Sequence, residues 1–210
     1  MGTLHRLPQR ARTTRATSRL KAPKGQQALP FDRPVSDTPN ASAQLIYLRG
    51  HRARDRAFQL YERASEIDDD PTRRREAEQM YRCALFLDPE LAHAYTNLGN
   101  LLFRRGAEAE ALEQYEKALA LEPEQPEAHY NLGYLALESG HSHEAIGHLR
   151  RSIECDGGFA DAHFNLATAY EQAGQWSHAR GHWERYLELD ARGAWAEDAK
   201  ARLRAPRRLT

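Results

Sequence analysis

The sequence predicts an all-α fold in which short helical hairpins stack into a solenoid. Two helical patterns of apolar and small residues lie within residues 92–125, separated by a glycine and ended by Glu122-Pro123. The same arrangement recurs in residues 126–159, which follow directly and have the same length. The pattern therefore repeats along the chain with a fixed period. A unit of this size cannot bury its apolar face alone, so neighbouring copies are expected to stack on one another.

Residues 1–40 are predicted to be a disordered basic tail. They contain eight Lys or Arg against two acidic residues, which gives this segment a charge of about +6. Five prolines would interrupt any helix, and few large apolar side chains are present to offset the entropy of ordering. One apolar island, residues 28–31 (Ala-Leu-Pro-Phe), is either a short docking motif or a chance patch in a linker.

The charge balance of the chain is uneven. Residues 200–210 contain five basic residues and no acid, so the segment between the two basic ends carries about −11. Such ends can bind nucleic acid or membrane phosphates, or fold back onto the acidic body. No apolar run approaches the length of a membrane span, and no secretory signal is recognisable, so we expect a cytoplasmic protein without membrane contact. An organelle transit peptide remains an alternative, since residues 1–31 are rich in Arg, Ser and Thr and lack acids.

Helical periodicity begins near Ala41 and continues to Ile67. Gly50 interrupts it and costs about 1 kcal/mol relative to alanine in a helix, so two interpretations stay open. Either one helix spans the segment, or its first part is the remnant second helix of an earlier repeat. The second interpretation is favoured by a match across one period: Ala43, Tyr47 and Gly50 precede Ala77, Tyr81 and Ala84 by the same offset. Asp70 and Pro71 then indicate the N-cap and first residue of a helix that ends near Asp88-Pro89.

Residues at equivalent positions share size and chemistry from one repeat to the next. Small residues are expected where helices approach closely: Ala77, Ala111, Ala145 and Ala179, and also Gly99, Gly133 and Ala167. Bulky residues are expected to fill the adjoining space: Tyr81, Tyr115, Leu149 and Trp183, with Leu98, Leu132 and Leu166 in the first helices. Glycines are expected at left-handed turns: Gly106, Gly140 and Gly174.

The 34-residue period and these positions resemble the tetratricopeptide repeat. The resemblance implies a right-handed α-solenoid over residues 41–205, with repeats at 58–91, 92–125, 126–159 and 160–193, a capping helix at about 194–204 and a short tail at 206–210. The last repeats are also similar to the arrays of bacterial regulators that carry a helix-turn-helix domain, although residues 1–40 cannot form that domain. The inter-repeat proline is present at Pro89 and Pro123 and replaced later by Gly157 and Ala191.

By resemblance, the first helices line a concave groove that binds a protein or peptide. The implied groove residues on which we focus are Thr96, Asn97, Asn100, Arg104, Tyr130, Asn131, Tyr134, Phe164, Asn165 and Thr168. Three of them, Asn97, Asn131 and Asn165, form a ladder with one asparagine per repeat. An amide both donates and accepts, so the ladder either holds the backbone of an extended peptide or packs between repeats. The aromatic residues are either interface anchors or partly buried packing residues.

The remaining candidates point away from catalysis and cofactors. Thr96 stands where relatives that clamp a chaperone's C-terminal carboxylate have a lysine, and the later groove charges are acidic, so a basic or neutral ligand is favoured. His178 and His182 have a zinc-compatible spacing but lack a third ligand at a fixed spacing, and Cys83 and Cys155 are isolated. We therefore predict a non-catalytic adaptor or scaffold without metal or cofactor, and, as an alternative, a nucleic-acid-associated regulator that uses residues 1–40.

Overall fold

A computed structural model describes the backbone of residues 41–205 and the side chains of residues 50–205. The predicted basic tail at 1–40, its apolar island and its nucleic-acid contacts, and the tail at 206–210, lie outside the described residues. The described part contains only helices, turns and loops. In chain order the helices are α1 (Ala41–Ile67), α2 (Arg74–Leu87), α3 (Ala92–Arg104), α4 (Glu108–Leu121), α5 (Pro126–Glu138), α6 (Ser142–Cys155), α7 (Ala160–Gln172), α8 (Trp176–Leu189) and α9 (Ala196–Arg204).

The helices pack as hairpins, which confirms the predicted all-α solenoid. The pairs are α1 with α2, α3 with α4, α5 with α6 and α7 with α8, and each pair also packs against the next. The first helices of successive repeats contact one another directly, α3 with α5 and α5 with α7. These first helices therefore lie on the inner side of the array, where the spacing between repeats is smallest.

Helix α1 is a single helix of 27 residues that passes through Gly50 without a turn. A Cβ atom at Gly50 would have no neighbour within 4 Å, so nothing in the surroundings requires a break there. The interpretation of residues 43–50 as a separate remnant helix is therefore wrong, because a second helix would need a reversal of the chain before α1 reaches the first repeat.

The period-matched residues form the core. Ala77, Ala111, Ala145 and Ala179 have no exposed surface, and the bulky residues Tyr81, Tyr115, Leu149 and Trp183 are at most 1% exposed. Leu98, Leu132 and Leu166 are buried as well. The small residues allow this packing, since a Cβ atom at Gly99 would lie 2.5 Å from the Tyr115 ring. The predicted core positions are confirmed.

The turns follow the prediction in three repeats and depart from it in the first. Gly106, Gly140 and Gly174 adopt φ values of +85°, +77° and +74°, a left-handed conformation that disfavours other residues. The first repeat has Thr72 at this position and forms its turn differently. The Asp70 carboxylate accepts hydrogen bonds from the Thr72 backbone N–H at 2.9 Å and from its hydroxyl at 2.7 Å. Helix α2 begins at Arg74, three residues later than the predicted start at Pro71 and one period before the start of α4 at Glu108, so the different turn does not shift the helix start.

Loss of the inter-repeat proline does not lengthen the second helices. Helices α6 and α8 have 14 residues, as do α2 and α4. In the turn after α6, the Asp156 carboxylate accepts a 2.9 Å hydrogen bond from the Gly158 backbone N–H. Asp88 makes the same type of contact with the Glu90 N–H at 3.2 Å. After α2 and α6 an aspartate turn therefore follows the helix, with a proline next to Asp88 and without one next to Asp156.

Helix α9 covers the end of the last repeat. Arg202 lies over the Trp183 ring at 5.5 Å and forms an ion pair with Glu171 of α7. The Arg180 side chain donates a 3.0 Å hydrogen bond to the Leu203 carbonyl. Ala196 and Ala199 are buried in the same cluster. None of the described helices has the length and apolar character of a membrane-spanning segment.

Candidate partner-binding groove

The candidate groove lies along the first helices α3, α5 and α7, where the asparagine ladder recurs once per repeat. Its residues fall into two groups by exposure. Asn97, Asn100, Arg104, Asn165 and Thr168 are half-buried, whereas Thr96, Tyr130, Asn131, Tyr134 and Phe164 are buried. The hydrogen bonds of each group decide which of them a ligand can contact.

Asn97 is held in place by a chain of hydrogen bonds to the preceding repeat. The Tyr81 hydroxyl donates a 2.7 Å hydrogen bond to an Asp68 carboxylate oxygen. Because that hydrogen is used, the hydroxyl oxygen accepts, and Asn97 Nδ2 donates to it at 3.1 Å. Within residues 50–205, Asn97 Oδ1 accepts no hydrogen bond. The amide is therefore anchored through its nitrogen with its oxygen available.

The second junction uses Asn100 as a shared acceptor. Asn100 Oδ1 accepts a 2.9 Å hydrogen bond from the Tyr115 hydroxyl and a 2.8 Å hydrogen bond from Asn131 Nδ2. Burial raises the pKa of Tyr115, so its hydroxyl remains a donor at neutral pH. Asn100 Nδ2 has no acceptor among the described residues. This half-buried amide presents donors, whereas Asn97 presents an acceptor.

At the third junction, between α5 and α7, the asparagine is anchored by a tyrosine at a different position of the repeat. The residue one period after Tyr115 is Leu149, which has no hydroxyl. Asn165 Nδ2 instead donates a 3.0 Å hydrogen bond to the hydroxyl of Tyr130 on α5. Burial raises the pKa of Tyr130 well above its usual value, so this hydroxyl also stays protonated. Asn165 Oδ1 accepts no hydrogen bond within residues 50–205, which repeats the arrangement at Asn97.

Five predicted groove residues are buried and take part in the packing between helices, the second of the two interpretations given for the asparagine ladder and the aromatic residues. Thr96 is 3% exposed, and its hydroxyl donates to the buried Gln125 side chain. The side-chain amide of Asn131 donates its hydrogen bond to Asn100 Oδ1, as described above. Each of the three buried aromatic residues contacts another ring: Tyr130 lies tilted on Phe159, Phe164 stacks on Trp195, and Tyr134 meets Phe103 edge to face. Helix α5 is buried on most of its surface because helices pack on both sides of it.

Two of the half-buried residues are also engaged within the chain. Arg104 donates hydrogen bonds to the Asp68 carbonyl and, at 3.2 Å, to an Asp69 carboxylate oxygen, which tie α3 to the first repeat. The Thr168 hydroxyl donates a 3.1 Å hydrogen bond to the Phe164 carbonyl of its own helix. The polar groups left for a ligand are therefore the two Oδ1 atoms of Asn97 and Asn165 and the Nδ2 group of Asn100.

The acidic residues of the first helical turns give this face its charge. Glu127 and Asp161 are half-buried at equivalent positions of α5 and α7. Burial, and after it the neighbouring Asp190 carboxylate, raise the pKa of Asp161. A desolvated carboxylate beside a second acid is stabilised by a cation. Glu127 and Asp161 each lie about one helical turn before a ladder asparagine, Asn131 and Asn165.

Two histidine pairs each join the two helices of one hairpin, α5 with α6 and α7 with α8, and the sequence did not reveal them as pairs. His129 Nδ1 lies 3.5 Å from His148 Nδ1, and the equivalent His163 and His182 nitrogens are 3.0 Å apart. His129 and His163 are buried, as expected for packing residues. Both His178 and His182 stack on the Tyr170 ring. Across residues 50–205, no three His, Cys, Asp or Glu side chains converge in a metal-binding arrangement.

Comparison with known proteins identifies the repeat. The family model described as "TPR repeat" matches residues 99–140, and that described as "Tetratricopeptide repeat" matches residues 148–180. No curated protein matches the chain, and no enzyme family is detected.

Solved structures with similar folds include a MamA protein, with 23% identity and a TM-score of 0.56 over 76% of this chain and 82% of that one. PilF of Pseudomonas aeruginosa has 21% identity and a TM-score of 0.62, over 73% and 67% of the two chains. A tetratricopeptide repeat protein of Parabacteroides merdae has 22% identity and a TM-score of 0.59, over 71% and 59%. At these identities the likeness is one of fold.

Proposed function

Because the chain is a tetratricopeptide repeat protein, a class that generally mediates protein–protein interaction, we propose that it is a non-catalytic adaptor. It binds an extended segment of a partner protein along α3, α5 and α7. The single observation that carries the proposal is the set of anchored amides with unused polar atoms: the Oδ1 atoms of Asn97 and Asn165, and Asn100 Nδ2. An extended backbone offers both N–H donors and carbonyl acceptors, so it can satisfy both kinds of atom.

Pre-organisation favours this use of the amides. Each asparagine side chain is already hydrogen-bonded to the neighbouring repeat through one of its two polar atoms. Binding of a ligand therefore costs little additional side-chain entropy. Because the contacts are made to backbone groups, the ladder accepts segments of different sequence. Selectivity then comes from charge. Glu127 and Asp161 favour a segment with basic or neutral side chains and disfavour an acidic one.

The proposal can be tested with a phage-displayed library of random linear peptides selected on the full chain. We expect the enriched peptides to be basic or neutral. The affinity of one selected basic peptide is then measured calorimetrically for wild type and for Glu127→Gln/Asp161→Asn. Removal of the two charges is expected to weaken binding by roughly tenfold, which corresponds to about 1.4 kcal/mol.

The matched control is Glu108→Gln/Glu116→Gln, which removes two exposed carboxylates from α4, a second helix. It changes the net charge equally and should leave the affinity within about twofold. Equal weakening in both double variants would show that net charge, and not the groove, attracts the peptide. Failure of the library to yield any binder would contradict the proposal itself.

A further inference from the structure

The outer face of the first repeat carries an apolar patch, which consists of Cys83, Phe86 and Leu87 on α2. Phe86 is 87% exposed, the most exposed large apolar residue among those described, and Cys83 is exposed beside it. The three residues and Arg82 line one shallow depression. An exposed phenylalanine that lies alone needs no explanation, but a side chain of this size beside two further apolar neighbours suggests a covering element.

Comparison of the repeats shows that this patch is special to the first one. The residues equivalent to Cys83 are Lys117, Arg151 and Arg185, and those equivalent to Phe86 are Ala120, Glu154 and Glu188. In the last two repeats these positions form solvent-exposed ion pairs, Arg151 with Glu154 at 2.7 Å and Arg185 with Glu188 at 2.8 Å. The first repeat, which directly follows the N-terminal segment, therefore has an apolar pair where the last two repeats have a charged pair.

The N-terminal segment supplies an apolar element of suitable size and reach. Among residues 1–40, the island at 28–31 places Leu29 and Phe31 two positions apart around a proline. The Arg54 side chain lies 4.0 Å from Asp88, so the end of α2 is level with Arg54 on α1. From there to Ala41, α1 extends about 20 Å at about 1.5 Å per residue. Ten residues connect Phe31 to Ala41 and span up to about 33 Å, which is enough to return to the patch.

We propose that Leu29 and Phe31 of this chain's own N-terminal segment dock on the patch formed by Cys83, Phe86 and Leu87. This docking leaves the groove on α3, α5 and α7 open, since the patch lies on a second helix. The inference does not depend on the proposed function of the groove.

The size of the patch favours this occupant over a second copy of the chain. A stable dimer buries about 800 Å² on each partner, far more than three side chains provide. An intramolecular segment needs much less, because a short linker holds it at an effective concentration in the millimolar range. A contact too weak to join two molecules is therefore sufficient to hold a tethered segment in place.

Cys83 provides a reporter for the test. In a Cys155→Ser background it is the only thiol, and its rate of alkylation by neutral iodoacetamide measures its exposure in the full chain. Leu29→Ser/Phe31→Ser should release the segment and raise this rate about threefold, if the docked form is populated at about two-thirds. The matched control, Leu4→Ser/Leu7→Ser, replaces two apolar residues of the same segment and should leave the rate unchanged.

Further variants separate docking from other causes. Phe86→Ser removes an exposed side chain, so the fold is kept, and it should raise the rate to the same level as the released segment. Combination of Phe86→Ser with Leu29→Ser/Phe31→Ser should add nothing further, because both changes break one contact. A rate that is indifferent to Leu29→Ser/Phe31→Ser, or additive effects, would overturn the proposal. So would protection that grows with protein concentration, which would assign the patch to a second copy.

Discussion

Asn131 Nδ2 donates a 2.8 Å hydrogen bond to Asn100 Oδ1, which joins α5 to the preceding repeat beside the Tyr115 hydroxyl. Asn131 is only 7% exposed, so its amide stabilises the packing between these two repeats. We expect Asn131→Ala to lower the free energy of unfolding by about 1–3 kcal/mol, through the lost hydrogen bond and the polar atom left without a partner. Urea denaturation followed by circular dichroism measures the change.

The control for this variant is Thr168→Ala. Its hydroxyl bonds only to the Phe164 carbonyl of the same helix, and it is half-buried on the groove side. Its effect should stay within about 0.5 kcal/mol. If the two variants destabilise the protein equally, Asn131 does not connect the repeats as described.

Close approach of helices α5 and α6 depends on the glycine at position 133. A Cβ atom there would lie 2.6 Å from Leu149 Cγ and 3.1 Å from the Leu149 backbone nitrogen, which cannot easily move. Gly133→Ala should therefore destabilise the fold by about 1–3 kcal/mol, as overpacking does. Gly147→Ala is the control, since a Cβ atom at this exposed position of α6 meets nothing within 4 Å. It should stabilise the protein by up to about 1 kcal/mol. The reverse order in thermal unfolding would exclude the close approach.

The repeat register itself can be tested at Leu132, a buried residue of the core cluster that also contains Leu98 and Tyr115. Leu132→Ala removes most of a buried side chain and should cost about 2–5 kcal/mol in equilibrium unfolding. Leu112→Ala truncates a leucine that is 41% exposed on α4 and should cost much less. A cost for Leu132→Ala below about 0.5 kcal/mol, the range of ordinary surface substitutions, would mean that the repeat boundaries are misplaced.

Acid is expected to weaken the last hairpin through the pair of His163 and His182. Burial, and then the other histidine, lower the pKa of His182 from 6.5 to about 4, and burial lowers the pKa of His163. The other groups that face the pair are His178, Arg150 and Arg185, and each opposes added positive charge. Below about pH 6.5 the unfolded chain binds more protons than the folded one, so stability falls as the pH drops from about 6.5 towards 4.

The measurement is the melting temperature across this pH range. His163→Gln/His182→Gln should flatten the decline between pH 6.5 and 5, because neither side chain can then be protonated. His143→Gln replaces an exposed histidine and should leave the decline unchanged. If the double variant and wild type lose the same number of degrees, the pair does not set the acid sensitivity.

The fold followed from the sequence because its determinants recur at one fixed period. Ala111, Tyr115 and Gly133 recur by size, and stacking requires nothing more specific than size at those positions. The start of α2 was misplaced because the first repeat lacks the turn glycine and forms its turn through Asp70.

Whether a predicted groove residue is buried or half-buried depends on contacts between side chains that are distant in sequence. Asn165 is anchored by Tyr130 of the preceding repeat, and the buried Thr96 hydroxyl donates to Gln125 at the end of its own repeat. No periodic pattern encodes such pairings. The resemblance predicted a face of the array, and burial divides the residues of that face into those that pack between repeats and those whose polar atoms have no partner among the described residues.

The proposal that α3, α5 and α7 bind an extended partner segment is tested most directly by the side-chain amide signals in a 15N-labelled full chain. A selected peptide is titrated, and the Asn97, Asn100 and Asn165 NH2 resonances are followed. The exposed Gln79 on the outer side of α2 serves as the internal reference. We predict saturable shifts for the three asparagines and none for Gln79. Shifts confined to Gln79 and other second-helix residues, with the asparagine signals unmoved, would contradict the proposal.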